Sequence, residues 1–230
     1  MTPSLPDHPI VLGHRGSSAH ATENTIEAFQ LAIEQGGAGV ELDVRRTSDG
    51  MLVVHHDAVI EGVGPIIETR AADLPDHVPG LEDALDACSG SIVNVEIKNS
   101  PSDPDWDPDD DVAGMVAALV TNRAGIVVSS FNPATVAAVG AASPQVARGL
   151  LLPPGVVITD VLVDAAAAGI WALHPHWSSL ERDTVAAIHD AGLVVVVWTV
   201  DDPKMLQLLA SWEVDVVISN DVAAAVAALT

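Results

Sequence analysis

Two carboxylates spaced two residues apart inside an apolar run are the first chemical anomaly of this chain. In Gly39-Val40-Glu41-Leu42-Asp43-Val44, apolar residues alternate with Glu41 and Asp43. Successive side chains of a strand point to opposite faces, so both acids share one side and Val40, Leu42 and Val44 take the other. Like charges this close repel, and burial deepens the penalty, so a cation is the natural remedy. The stretch Asn94-Val95-Glu96-Ile97-Lys98 repeats the device, with residues 94, 96 and 98 on one face. Glu41, Asp43 and Glu96 are therefore candidate ligands of a divalent metal. Three oxygen donors suit Mg²⁺ or Ca²⁺ better than zinc, which takes Cys and His. The structural alternative is an ion-pair set in which Glu96 and Lys98 join Arg15.

Histidines flank these acids. His14 ends a strand pattern in Gly13-His14-Arg15-Gly16, and the pair His55-His56 precedes Asp57 after another. A histidine poised near neutral pH can give or take a proton; on these grounds His55 and His56 are rivals. His8, His20, His77 and His189 lack such settings and are read as structural or exposed. His174, His176 and Trp177 follow a later strand and are either pocket residues or an exposed loop.

The elements that must position these groups alternate from end to end. Apolar runs predict strands at 10–13, 39–44, 92–98, 125–129, 147–152, 169–173, 193–198 and 215–219, several of them continuous as in doubly buried parallel strands. Helical patterns lie between, with start signals at Asn24 to Glu27, Asn132-Pro133, Ser178 to Glu181 and Asp202-Pro203, and a stop at Gly192. Eight strand–helix units predict a closed (β/α)₈ barrel spanning residues 1–230 as one domain, with an open doubly wound sheet as the runner-up. Active sites of such barrels lie at the C-terminal mouth, where both acidic strands end. Asp49-Gly50 predicts a hairpin turn into an extra strand at 51–55, followed by an irregular excursion over 58–80. The Pro/Asp segment 101–111 reads as a solvated loop. It is not an EF-hand, because Pro108 and Gly114 stand where that loop needs Gly and Glu.

Composition narrows the function classes. Of 230 residues, 49% are apolar, enough for a sizeable core, and the formal charge of −23 argues against a nucleic-acid or anionic-membrane surface. Charge beyond a Debye length of about 8 Å is screened, so local groups decide whether an anionic substrate can bind. Arg15 and Lys98, two of nine basic residues, fall inside the motifs. Cys88, alone, makes no internal disulfide and fits the apolar face of a short helix. The N-terminus has no signal-peptide pattern and the chain no membrane span, and a cytoplasmic location is expected.

Taken in order, these residues resemble the glycerophosphodiester phosphodiesterase family. The motifs are His14-Arg15-Gly16, Glu23-Asn24-Thr25 with Ala28-Phe29, Glu41-Leu42-Asp43-Val44, Thr47, Asp49-Gly50, His56-Asp57, Glu96-Ile97-Lys98, Ser130-Phe131, Gly192 and Trp198-Thr199-Val200. The ordered set covers almost the whole chain. The resemblance implies a TIM barrel that hydrolyses glycerophosphodiesters to sn-glycerol 3-phosphate and an alcohol. It implies Ca²⁺ or Mg²⁺ on Glu41, Asp43 and Glu96, an acid/base pair of His14 and His56 in preference to His55, and a phosphate held by Arg15 and Lys98. Trp198 would line the pocket, or else plug the end of the barrel. The chain departs from the family at Thr22, where Pro is usual, and at Ser219-Asn220-Asp221, where Thr-Asp often stands. The segment from His56 to Glu96, only forty residues along, is compact. These departures bear on the substrate and leave the acids and histidines intact. Competing readings are a non-catalytic barrel that binds phosphorylated headgroups, and a related barrel phospholipase. The latter would want an apolar rim or basic interfacial helix, which the sequence does not display.

Overall fold

The computed structural model describes residues 3–6 and 9–230, so His8 lies outside it. The apolar runs form eight strands: β1 (Ile10–His14), β2 (Gly39–Arg46), β3 (Ile92–Ile97), β4 (Ile126–Ser130), β5 (Ala147–Leu152), β6 (Ala172–Pro175), β7 (Val194–Val197) and β8 (Val216–Ser219). A helix follows each: α1 (Ile26–Glu34), α2 (Leu81–Ala87), α3 (Asp111–Val120), α4 (Pro133–Ala142), α5 (Thr159–Ala167), α6 (Arg182–Asp190), α7 (Pro203–Ser211) and α8 (Val222–Leu229). Neighbouring strands pair in parallel from β1 to β8. The register Ile10↔Val216 to Gly13↔Ser219 then joins β8 back to β1. That closure makes a TIM barrel and excludes the open doubly wound sheet.

Alternation along each strand divides the core in two. Val40, Leu42, Val44, Val95, Ile97, Val128, Leu173 and Val195 face the helices. Ile10, Leu12, Ala172, Val196, Val216 and Ile218 fill the barrel. Each such side chain contributes about 1.5–3 kcal/mol on burial. Cys88 packs in the outer core, as its pattern predicts. Carried round the barrel, the pairing register stacks inward residues in layers from alternate strands. Leu12, Asn94, Gly149 and Val196 make one layer; Glu41, Ser129, His174 and Ile218 lie above it; His14, Glu96, Leu151 and Trp198 lie above those, toward the mouth.

Asn132 and Asp202 cap α4 and α7 ahead of Pro133 and Pro203 as expected, and Gly192 turns the chain after α6 at φ +76°. Two start signals shift. Thr25, not Asn24, caps α1 by accepting from the Ala28 N–H, because the Asn24 side chain is engaged elsewhere. Ser178 and Ser179 belong to a 3₁₀ turn (Trp177–Ser179), and α6 begins only at Arg182. The sixth strand also moves from the expected 169–173. Gly169, at φ +66°, closes the turn after α5 and its N–H bonds to the Ala166 carbonyl, so the strand starts at Ala172. The strand also runs past Leu173 to Pro175, so His174 sits inside the barrel at 1% exposure rather than in a loop.

The Asp49-Gly50 turn leads into a short strand (Leu52–Val54) antiparallel to β2, and the following excursion is pinned by Val53, Ile60 and Ile66. The 101–111 segment is the largely exposed loop expected, but it is anchored by its acids. Arg45 is buried and reaches Asp105 at 2.6 Å and Asp103 at 3.2 Å, and Asp107 is buried against α3. A buried guanidinium needs carboxylates, and the acidic loop supplies them. Among the described residues, no helix is long and apolar enough to cross a membrane.

Candidate active site

The site begins where β1 ends. Arg15 and Gly16 turn with positive φ, +56° and +82°, and a Cβ on Gly16 would come within 2.5 Å of the Ala28 backbone. Only glycine fits there. This turn aims the Arg15 N–H at Glu41 Oε2, 3.0 Å away. Asn24, itself at φ +57°, donates from Nδ2 to Asp43 Oδ2 at 2.8 Å. The inward faces of β2 and β3 bring Glu41, Asp43 and Glu96 together, with one carboxylate oxygen of each within 4.8 Å of the others and all three buried.

Two cations stand over the acids. Lys98 Nζ lies 2.5 Å from Glu96 and 3.0 Å from Asp43. Arg15 Nε lies 3.3 Å from Asp43, and its Nη1 pairs with Glu23 at 2.9 Å. The ion-pair set considered from the sequence is thus present, and it leaves the cluster incomplete. Three carboxylates face two cations, and Glu41 Oε1 has no hydrogen-bond partner among the described residues. Burial, reinforced by Asp43, pushes Glu41 up to about 8. Burial likewise pushes Glu96 up to about 7. Burial opposes ionisation of Asp43 too, but Lys98, Arg15, His56 and the Asn24 bond outweigh it and hold Asp43 below its ordinary value. A buried, oxygen-only donor set with an orphan oxygen and a deficit of positive charge fits a hard divalent cation.

Two imidazoles border the same cavity as these groups. His14 Nδ1 is 2.7 Å from Asn220 Oδ1, and His56 Nδ1 is 2.7 Å from Asp57 Oδ1. Burial lowers both histidines, which favours the neutral form, although the Asn220 bond partly offsets this at His14. His55 instead turns to the Asp57 carbonyl at 2.8 Å. Both site histidines line a cavity of about 280 Å³ with Arg15, Glu41, Glu96 and Lys98. Trp198 forms part of its wall, fixed by an Nε1–H bond to the His174 carbonyl at 2.7 Å and by edge contacts with Phe131 and His176. A second, wider cavity of about 760 Å³ adjoins it, sharing His56, Glu96, Lys98 and Phe131 and walled by Val59, Pro101 and Pro104. All eight residues singled out from the sequence therefore meet at one mouth. His20 and His189 pair with Asp221 and Asp215 and do not line that cavity, and His77 is exposed.

Sequence reasoning missed several partners. Arg45 donates from Nε to the His56 carbonyl at 2.8 Å and so ties that histidine to the acidic loop. Inside the barrel, Asn94, Ser129 and His174 carry buried polar atoms without hydrogen-bond partners among the described residues. Neighbouring Gly149 leaves the room that the His174 ring takes, since a Cβ there would lie 2.3 Å from Nε2. Burial drops His174 to about 3, so it is neutral.

A closed parallel barrel with acids and imidazoles at its C-terminal mouth has the architecture of the TIM-barrel enzymes. The model of the glycerophosphoryl diester phosphodiesterase family matches residues 14–224, and the chain belongs to that family of phosphoric diester hydrolases. A glycerophosphodiester phosphodiesterase of Caldanaerobacter subterraneus is 27% identical over 92% of this chain and 94% of its own length. The crystal structure of one from Thermotoga maritima is 29% identical, with a TM-score of 0.83 over 96% of this chain and 98% of that one. An Oleispira antarctica phosphodiesterase, solved in complex with the product sn-glycerol-3-phosphate, is 26% identical with a TM-score of 0.84 over 96% of each chain.

Proposed function

We propose that this chain is a metal-dependent glycerophosphodiester phosphodiesterase that releases sn-glycerol 3-phosphate and an alcohol by acid/base catalysis with His14 and His56. The observation that carries this reading is the convergence of three buried carboxylates at a cavity lined by two imidazoles. Glu41, Asp43 and Glu96 would hold Ca²⁺ or Mg²⁺. When bound, the ion neutralises charge building on a non-bridging phosphoryl oxygen. The product bound by the Oleispira relative supports the identity of the phosphate-bearing product.

Arg15 and Lys98 bind the phosphate: the first offers a planar fork, the second a point charge released from Glu96 once that carboxylate has another partner. Asn220 accepts from His14 Nδ1, which leaves Nε2 as the acceptor for the nucleophile's proton. His56 borders both cavities and, once protonated on both ring nitrogens with the Asp57 carboxylate accepting from Nδ1, donates from Nε2 to the leaving oxygen. Glycerol phosphate occupies the smaller cavity against Trp198, and the alcohol extends into the wider one. The nucleophile is water or the adjacent glycerol hydroxyl, the latter passing through a cyclic phosphate. Residues 1–230 act as one catalytic unit on a small-molecule substrate, with no need of nucleic acid.

The test is turnover of glycerophosphocholine with sn-glycerol 3-phosphate as the readout. Activity should vanish with excess chelator and return with Ca²⁺ or Mg²⁺. Binding without turnover in either metal would leave a headgroup-binding barrel instead.

A further inference from the structure

Behind His14 stands a chain of hydrogen bonds that ends on a carboxylate. Asp201 Oδ1 accepts from the Asn220 backbone N–H at 2.8 Å and from Ser219 Oγ at 2.8 Å, while Oδ2 accepts from Asn220 Nδ2 at 2.6 Å. These bonds outweigh partial burial and hold Asp201 below its ordinary value, so it is ionised and can only accept. Asn220 must therefore turn its NH₂ toward Asp201 and its carbonyl oxygen toward His14. That oxygen is also an acceptor only, and it takes Ser18 Oγ–H at 3.0 Å together with His14 Nδ1 at 2.7 Å. The proton of neutral His14 is thereby placed on Nδ1 and the lone pair on Nε2.

We infer that Asp201 and Asn220 are positioning residues that select the His14 tautomer: the carboxylate sets the amide, and the amide sets the imidazole. The inference rests on the proposed proton-accepting role of His14 for its effect on rate, but not for its effect on the tautomer. Which ring nitrogen carries the proton is fixed by the bond the other one makes. The chain is local to this molecule's β7–α7 and β8–α8 loops, and neither residue borders the cavity beside His14.

Exchanging carboxylate and amide gives a test with a defined sign. In Asp201→Asn, the Asn220 backbone N–H and Ser219 Oγ–H keep an oxygen at the Oδ1 position, so the new NH₂ faces Asn220. Asn220 then flips and offers its own NH₂ to His14, which must carry its proton on Nε2. The double variant Asp201→Asn/Asn220→Asp restores an acceptor to His14 and a donor–acceptor match between 201 and 220. Nitrogen-15 NMR of the intact protein, with the His14 signals assigned by difference from His14→Gln, reads the tautomer directly. The wild type and the double variant should carry the proton on Nδ1, and Asp201→Asn on Nε2. In parallel, kcat should fall at least about tenfold in Asp201→Asn, with KM within about twofold, and recover in the double variant. An unchanged tautomer in Asp201→Asn, or a double variant no better than the single one in a folded protein, overturns the inference. Full activity in His14→Ala would instead sink the catalytic reading while leaving the tautomer result intact. If Asp201→Asn does not fold, Asn220→Ala, which removes the acceptor alone, should still lose the Nδ1–H preference; its retention is equally decisive.

Discussion

Loading the carboxylate cluster with a divalent ion should expel protons, and the number expelled should fall as pH rises. Buried Glu41 titrates near 8 and Glu96 near 7, against an ordinary value of 4.5, while Asp43 is already ionised. The first two values belong to the interacting set rather than to either residue alone. At pH 6 the set holds about two protons that a bound ion must displace, and by pH 8 it holds fewer than one. Calorimetric titration with Mg²⁺ or Ca²⁺ in buffers of different ionisation enthalpy counts these protons. Affinity should rise across the same window. The stability of the metal-free protein should move the other way. Groups whose folded value is raised contribute stability that is complete below about 4.5 and is lost as pH climbs through 7 and 8. Buried histidines held below their ordinary 6.5 act the opposite way as pH rises toward that value, so the melting temperature of the metal-free protein should decline from about pH 6.5 to 8, and the added ion should raise it most at the alkaline end. Heats at pH 6 that do not depend on the buffer would refute the reasoning, because they would mean that the acids are ionised without a cation.

Three further outcomes follow from particular contacts. His56→Ala should cost about 10²- to 10⁴-fold in kcat on glycerophosphocholine, and much less on an aryl phosphodiester whose leaving group needs no proton; equal losses on both would remove His56 from the leaving-group side. Gly149→Ala forces a methyl into the His174 ring and should lower stability by about 1–3 kcal/mol in denaturant titration; an unchanged midpoint would mean that the ring moves freely. Arg45→Met strands Asp105, whose side chain is only 5% exposed, and frees the His56 carbonyl, so it should cost up to about 3 kcal/mol and lower kcat; wild-type values of both would make the acidic loop an onlooker.

The barrel was legible because strands buried on both faces leave long Val-rich runs, and Glu41, Asp43 and Glu96 were legible because they interrupt those runs at strand period. Pairing across the closed sheet left no such trace. Asn220 meets His14 only because β8 closes on β1, over a separation of 206 residues that no local pattern spans. Its one signal was the Ser219-Asn220-Asp221 departure from the usual Thr-Asp. Arg45 was passed over for the same reason: its partners lie 58 and 60 residues away in a loop whose composition reads as solvated. His174 falls beyond the expected strand end at Leu173; the strand runs on to Pro175, and alternation from inward Ala172 turns the imidazole into the barrel. Asn24 leaves the cap to Thr25 because its amide is engaged by buried Asp43 through both Nδ2 and Oδ1.

The most direct measurement is an anomalous difference map from crystals grown with Mn²⁺, an oxygen-seeking dication that stands in for Mg²⁺ or Ca²⁺. One strong peak should appear among the carboxylate oxygens of Glu41, Asp43 and Glu96, and it should be absent from Glu41→Gln/Glu96→Gln crystals. A peak confined to the acidic 101–111 loop, or none at saturating ion, would contradict the metal-centred site.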